Sequence, residues 1–292
     1  MNHGPLIFLG VLASFVASWW GLIFAPQLQI GSQPQSPSDN GAYPARRAGV
    51  AAQGREVYVA NGCVQCHSQQ VRQEGYTFNL TLTAVGTNAP KVQKLLADLA
   101  LGVTAAAVAA ASDNAPLTLA TKVSQDFAAA AEKKLKKAGA SAQAVFVPVG
   151  VDLERHWGAR RTVGADYLYD EPVQIGNSRL GPDLANYGDR ALPEPLMLAH
   201  LYHPHTTMPG SIMPAYRYLF GTRPVGKHPS PDALKLPDKF APSAGTEVVP
   251  TQQARQLVAY LQSLRVGTAL FEAPQTPVAT PTDAGTNAPA KP

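Results

Sequence analysis

Apolar residues run unbroken through PLIFLGVLASFVASWWGLIFAP at 5–26, with no charged residue among them. As a helix rising about 1.5 Å per residue, this stretch reaches roughly 33 Å, enough to cross a hydrocarbon layer about 30 Å thick. Trp19 and Trp20 stand near its far end, where indole rings favour the headgroup layer. A cleaved signal peptide would need a basic n-region, a shorter apolar run and a small-residue cleavage site, and the sequence has none of these. Residues 1–26 are therefore expected to form a retained transmembrane anchor. A helical period appears again in TQQARQLVAYLQSLRV at 251–266, where Ala254, Leu257, Val258, Leu261 and Leu264 share one face. That helix starts at Pro250 or Thr251, ends before Gly267, and requires an apolar partner.

Between these two helices the pattern changes repeatedly. Residues 27–50 are rich in Gln, Ser, Pro and Gly and read as a flexible linker. Residues 84–147 are Ala-rich, with helix formers and lysines, and read as an inserted pair of helices broken near 114–116. Residues 148–220 are dense in Trp, Tyr, Arg, Gly and Pro, which suits an irregular but packed region. Residues 222–250 read as a Pro-rich loop, and 268–292 as a Pro/Thr/Ala tail with no means of folding. The folded part is thus expected over 51–267.

The 26 prolines and 24 glycines among 292 residues fit this irregular chain. A net charge of +4 is too slight for a nucleic-acid binder, and the basic run EKKLKKAG from Glu132 reads as a solvated helix face.

The two cysteines of the chain stand three apart, with a histidine behind the second: Cys63, Cys66 and His67 in CVQCH. C-x-x-C-H is the attachment pattern of a c-type haem, in which two thiols add across two vinyl groups and the histidine meets the iron. Zinc would need a second ligand pair, and a thioredoxin-type redox motif a βαβ context. Covalent haem attachment occurs outside the bacterial inner membrane, so the soluble part is expected in the periplasm and Met1 on the cytoplasmic side.

The sixth iron position is sought among the methionines. Met208 and Met213 lie in the proline-framed loop HTTMPGSIMPAYRYLFG, where a proline after the ligand stiffens irregular chain. Met213 is the preferred ligand and Met208 the runner-up, while Met197 reads as core filling. His200, His203 and His205 are rivals, as a sixth ligand or as a separate metal cluster.

GREVYVANGCVQCH, LGPDL at 180–184, MPAY at 213–216 and LVAYLQSL at 257–264 occur in the order seen in class I cytochrome c domains, which this part resembles. The resemblance implies a helix crossing that sets Gly54 and Tyr58 against Tyr260 and Leu261. It also implies that the Pro182 carbonyl accepts the Nδ1 hydrogen of His67 and fixes its tautomer.

SWWGLIFAPQLQ, GCVQCHSQQVR, YDEPVQIGNSRLGPDLANYG and HLYHPHTTMPGSIMPAY extend the resemblance to the membrane-anchored mono-haem subunit of cbb(3)-type cytochrome c oxidases. There the P-x-S-x-M-P-x-Y pattern supplies the distal ligand, which maps onto Met213. The insertion at 84–147 and the loop at 222–250 depart from that family.

The implied fold is mainly α: one transmembrane helix and a class I cytochrome c-like domain with an Ala-rich helical insertion. The implied function is electron relay through one covalent haem c. Electrons would pass from a soluble donor cytochrome or di-haem subunit to the catalytic haem–copper subunit, and both axial positions would be filled. Arg72, Arg160, Arg161 and Arg179 are candidates for pairing with haem propionates. The haem c subunit of a nitric oxide reductase or other periplasmic reductase is the alternative. A haem-based sensor or peroxidase is a third reading.

Overall fold

The computed structural model describes residues 3–31, 35–38, 41–47, 49–112 and 115–276. Helix α1 (Gly4–Trp19) continues through a π-turn at Trp20–Phe24 into α2 (Ala25–Gly31), giving one long apolar rod. Among the described residues this is one helix, Gly4–Gln29, long and apolar enough to cross a membrane. Its side chains find no core: Leu6, Phe8, Phe15 and Leu22 all remain more than 60% exposed.

The expected linker is only partly a linker. β1 (Ser36–Ser38) pairs antiparallel with β2 (Gly41–Tyr43), and Gln35 donates its side-chain amide to the Pro44 carbonyl at 2.7 Å. Tyr43 then donates its hydroxyl to Asp166 at 2.7 Å, Arg46 stacks its guanidinium over Tyr169, and Arg47 pairs with Asp170. Composition alone suggests free chain here, but three long side chains dock it, while residues 32–34, 39–40 and 48 lie outside the described set.

The chain then divides into two compact units, Met1–Val71 with Arg161–Glu272, and Arg72–Arg160 with Ala273–Pro292. In the first, α3 (Gly49–Ala60) leads to the cysteine turn, and the chain leaves at Val71.

The second unit follows the order β3 (Gly75–Ala84), α4 (Ala89–Asp98), α5 (Ala105–Ala110), β4 (Leu117–Val123), α6 (Gln125–Lys137), β5 (Ser141–Val149) and α7 (Val151–Glu154). Its three strands form an antiparallel sheet in the order β4-β3-β5. Leu80 and Leu82 of β3, Val92 and Leu96 of α4, Val108 of α5 and Leu135 of α6 bury a core of their own. Asn88, Thr104 and Ser124 cap the three helices, each accepting from a backbone N–H at 3.3 Å.

The expectation of a purely helical insertion at 84–147 is corrected: this unit is mixed, and strand makes up 17% of the structure against 42% helix. Helix formers dominate its composition, but Phe78, Leu80 and Leu82 alternate with Asn79, Thr81 and Thr83, a period-two pattern that only a strand can bury. Of the break expected at 114–116, Asn114 lies outside the described residues; two helices precede it, and after Pro116 the chain enters β4.

The first unit resumes at Arg161 and adds α8 (Glu194–Tyr202), β6 (Phe220–Pro224), β7 (Thr246–Pro250) and α9 (Gln252–Ser263). The ends of the expected Pro-rich loop are strands, Phe220 pairing with Pro250 through to Pro224 with Thr246. Glu247 holds the loop between them, accepting from Ser230 N at 2.7 Å and Arg223 Nε at 2.8 Å. Thr251 caps α9, accepting from Ala254 N at 3.4 Å while donating its hydroxyl to the Leu219 carbonyl at 2.7 Å.

The apolar face of α9 meets α3 as expected for Gly54, Tyr58 and Tyr260. The Tyr58 and Tyr260 ring centroids lie 5.2 Å apart, and a Cβ on Gly54 would sit 1.8 Å from the Gln256 carbonyl oxygen. Tyr58, Leu257, Val258 and Tyr260 are fully buried there with Met197, Leu198 and Leu201 of α8, and Leu261 packs at the edge. Packing in this unit runs past the tail boundary expected at 268, because Leu270 is buried and Arg161 donates to the Glu272 carbonyl at 2.7 Å. Residues 277–292 are not described.

Candidate functional site

Cys63 opens a 3₁₀ turn, Cys63–Gln65, entered through Gly62 and capped by Cys66, and His67 N donates to the Cys63 carbonyl at 3.0 Å. Both are free thiols and half-buried. Burial pushes the Cys63 thiol up to about 11, and the Tyr216 hydroxyl lies within hydrogen-bonding reach of it. Cys63, Val64, Met213 and Tyr216 all pack against the core formed by α3, α8 and α9.

His67 is positioned by a second loop. Its Nδ1 lies 2.8 Å from the Pro182 carbonyl oxygen, the partner expected for it. A carbonyl only accepts, so Nδ1 carries the hydrogen and Nε2 keeps its lone pair. Burial lowers the pKa of His67, with the Pro182 bond and the nearby Asp183 charge acting the other way, so the neutral ring is favoured. Gly181 makes the approach possible, since a Cβ there would fall 2.2 Å from His67 Cε1. Gly181→Ala should therefore push the ring off Pro182 at a cost of about 1–3 kcal/mol. The expected readout is loss of axial ligation in the visible spectrum; an unchanged spectrum would remove Gly181 from the site.

Pattern reading of the sequence missed how the two loops are joined. Backbone bonds run from Gly181 N to the Cys66 carbonyl (2.9 Å), Gln69 N to the Ile175 carbonyl (2.8 Å) and Leu184 N to the Ser68 carbonyl (2.8 Å). Asp183, with no exposed surface, accepts from Ser68 Oγ at 2.6 Å, Gln70 N at 2.7 Å and Ala185 N at 2.9 Å. Arg190 donates to the Asp183 carbonyl, and Gln69 donates to the Tyr260 hydroxyl at 3.1 Å. The signal was available: an acid framed by Gly-Pro and Leu-Ala has apolar neighbours that favour burial, and a buried acid needs donors.

The methionine loop is braced to α8 by Tyr216 N, which donates to the Leu201 carbonyl at 2.9 Å. Met213 is half-buried and packs on the same core as Cys63, whereas Met208 is 60% exposed. Met197 is buried in the core on α8. The histidine rivals have local partners: His200 Nδ1 pairs with Thr207 Oγ1 at 2.5 Å, and His205 Nε2 with the Ser211 carbonyl at 2.8 Å. The His203 and His205 rings meet at 5.2 Å, and no group of three or more His, Cys, Asp or Glu among the described residues could hold a metal ion.

The arginine candidates separate as well. Arg160 belongs to the other unit and is fully buried, Arg161 serves the Glu272 carbonyl, and Arg179 donates to the Gln70 carbonyl. Arg72 is exposed at the boundary where the second unit begins.

Residues 142–255 match the family described as cytochrome c oxidase, mono-heme subunit/FixO. Over these residues the chain is similar to the FixO family. No curated protein matches the chain. That family is described as a mono-heme subunit of cytochrome c oxidase, and the N-terminal apolar helix is long and apolar enough to cross a membrane. The FixO stretch contains Pro182, Asp183, Met208 and Met213, and it begins at residue 142, downstream of CVQCH. Hydrogen bonding through Pro182, Asp183 and Gly181 brings the cysteine turn against the matched stretch.

The residues fit a haem c. Two thiols with the attachment spacing precede an imidazole whose outer nitrogen is unprotonated. A thioether packs on the same core as the first thiol. Leu180 and Ile212, 65% and 76% exposed, supply apolar surface directly beside Gly181 and Met213.

Proposed function

We propose that the protein is the membrane-anchored mono-haem c subunit of a cbb(3)-type terminal oxidase. It relays electrons from a soluble donor cytochrome or di-haem cytochrome c subunit to the catalytic haem–copper subunit. The bond from His67 Nδ1 to Pro182 carries this reading, since it ties the attachment motif to the family's own stretch and sets the imidazole tautomer that a metal requires. When bound, the haem supplies a one-electron couple; the thioethers from Cys63 and Cys66 hold it to the chain.

In this reading His67 and Met213 would hold the iron. A His/Met pair raises the potential relative to His/His, which suits a late step in respiration. Filling both positions leaves no site for oxygen, so oxygen reduction and proton translocation belong to the partner. Leu180 and Ile212 would offer the group apolar surface, and the hydrogen-bonded Pro182–Asp183 loop would hold the His67 ring in place. In this reading the soluble part lies in the periplasm on a single-pass anchor in the bacterial inner membrane, which the attachment chemistry and the long N-terminal apolar helix support.

The test is spectroscopic. In the ferric protein, Met213→Leu should abolish the weak far-red band of thioether-to-iron charge transfer, while Met208→Leu retains it. The reverse outcome would reassign the ligand to Met208. A wild-type protein lacking the band would overturn the relay reading and favour a sensor or peroxidase.

A further inference from the structure

Asp183 is a carboxylate with no exposed surface in the loop that grips the axial histidine. Its three partners, Ser68 Oγ, Gln70 N and Ala185 N, all donate, so both oxygens are used as acceptors, as an ionised carboxylate requires. Ser68 immediately follows His67, and Pro182, the partner of His67, immediately precedes Asp183. The charge is thus one residue from the iron-ligand pair on each of the two loops.

Two cations share this region. Arg179, mostly buried, has Nη2 at 3.6 Å from the Asp183 carboxylate, and Arg190 donates to the Asp183 main-chain carbonyl. A buried ion is expensive unless its partners compensate it, and here three donors and the Arg179 guanidinium do so. The retained charge therefore suggests an electrostatic role in addition to holding the loops together.

We propose that Asp183 is a positioning and potential-setting residue: it latches the His67 loop and, with Arg179 opposing it, fixes the electric field at the iron. This rests on the haem reading above. The oxidised centre carries one more positive charge than the reduced one, and a buried charge is little screened by water. A negative charge beside the ligand favours the ferric state and lowers the potential, whereas a neighbouring cation raises it.

The experiment is a potentiometric titration of the full chain, purified in detergent with its haem, comparing wild type with Asp183→Asn and Arg179→Gln. Asp183→Asn keeps the shape and removes the charge. It should lower the ferric-to-ferrous ratio at a fixed poise about tenfold, a rise of about 59 mV for a one-electron couple. Arg179→Gln should move the midpoint the other way. A purely structural role would destabilise both variants without this opposition of sign. If Asp183→Asn fails to load haem, Arg179→Gln decides alone: a midpoint that stays or rises overturns the proposal. The relay reading is judged separately, on whether wild type titrates as a single one-electron centre with the far-red band. Wild type could pass that test with both variants unshifted, in which case only the role of Asp183 is lost.

Discussion

Replacing both Cys63 and Cys66 with alanine is expected to leave a full-length, membrane-inserted chain that retains no porphyrin on a denaturing gel. The two thiols are the cysteines of the whole chain, so no other sulfur can form the thioethers. The loss should reach beyond the cofactor. Leu180 and Ile212, beside Gly181 and Met213 in the chain, are 65% and 76% exposed and offer apolar surface that a bound haem would cover. A group that binds only the folded state stabilises it by mass action, and a covalent one cannot be diluted away. The double variant should therefore unfold at lower urea and fail to co-purify with a multi-helix oxidase subunit. The single Cys63→Ser change should lower haem incorporation without preventing insertion of the anchor, which lies upstream and shares none of this chemistry. If a variant without covalent haem still assembled a fully active oxidase, the role proposed for this subunit would be lost.

The second large effect is expected from one methyl group. Gly54→Ala would place a Cβ 1.8 Å from the Gln256 carbonyl oxygen and 2.8 Å from Tyr260 Cβ, where α3 crosses α9. Neither atom belongs to a flexible tip, so the helices must separate. Parting them would open the contact between Tyr58 and Tyr260 and loosen Gln69, which reaches Tyr260 from the cysteine turn. Overpacking of a rigid core costs about 1–3 kcal/mol and more where backbone must move, so a loss of roughly 3 kcal/mol is expected. Gly164→Ala serves as the control, since a Cβ there meets nothing within 4 Å. Urea denaturation followed by circular dichroism should show a lower midpoint for Gly54→Ala and an unchanged one for Gly164→Ala. Equal midpoints in the two variants would mean that the crossing does not hold the unit together.

The departures of the inserted unit from its sequence reading have one cause. Ala, Lys and Leu raise helix propensity throughout 84–147, and three short helices form there where a pair was expected. The strands were legible in principle through the alternation at Phe78, Leu80 and Leu82 and the valines at 145, 147 and 149. Helix-rich composition between them outweighed that shorter signal. In the same way, the docking of residues 41–47 depends on Asp166, Tyr169 and Asp170, more than a hundred positions away, which no local pattern can reveal.

The sequence by itself determined the features set by covalent spacing and periodicity. These are the thiol pair with His67, the long apolar helix and the α9 stripe. Each depends on residues a few positions apart or on a rigid repeat, so order along the chain already fixes it. Tertiary structure decided what depends on chain return. Asp183 became the buried latch of the histidine loop because Ser68 and Gln70, 115 and 113 positions away, bring their donors to it. Met213 rather than Met208 was selected for the core because the braced loop turns one inward and leaves the other in water. Burial and hydrogen bonding are satisfied only by the folded chain as a whole, and these choices were made there.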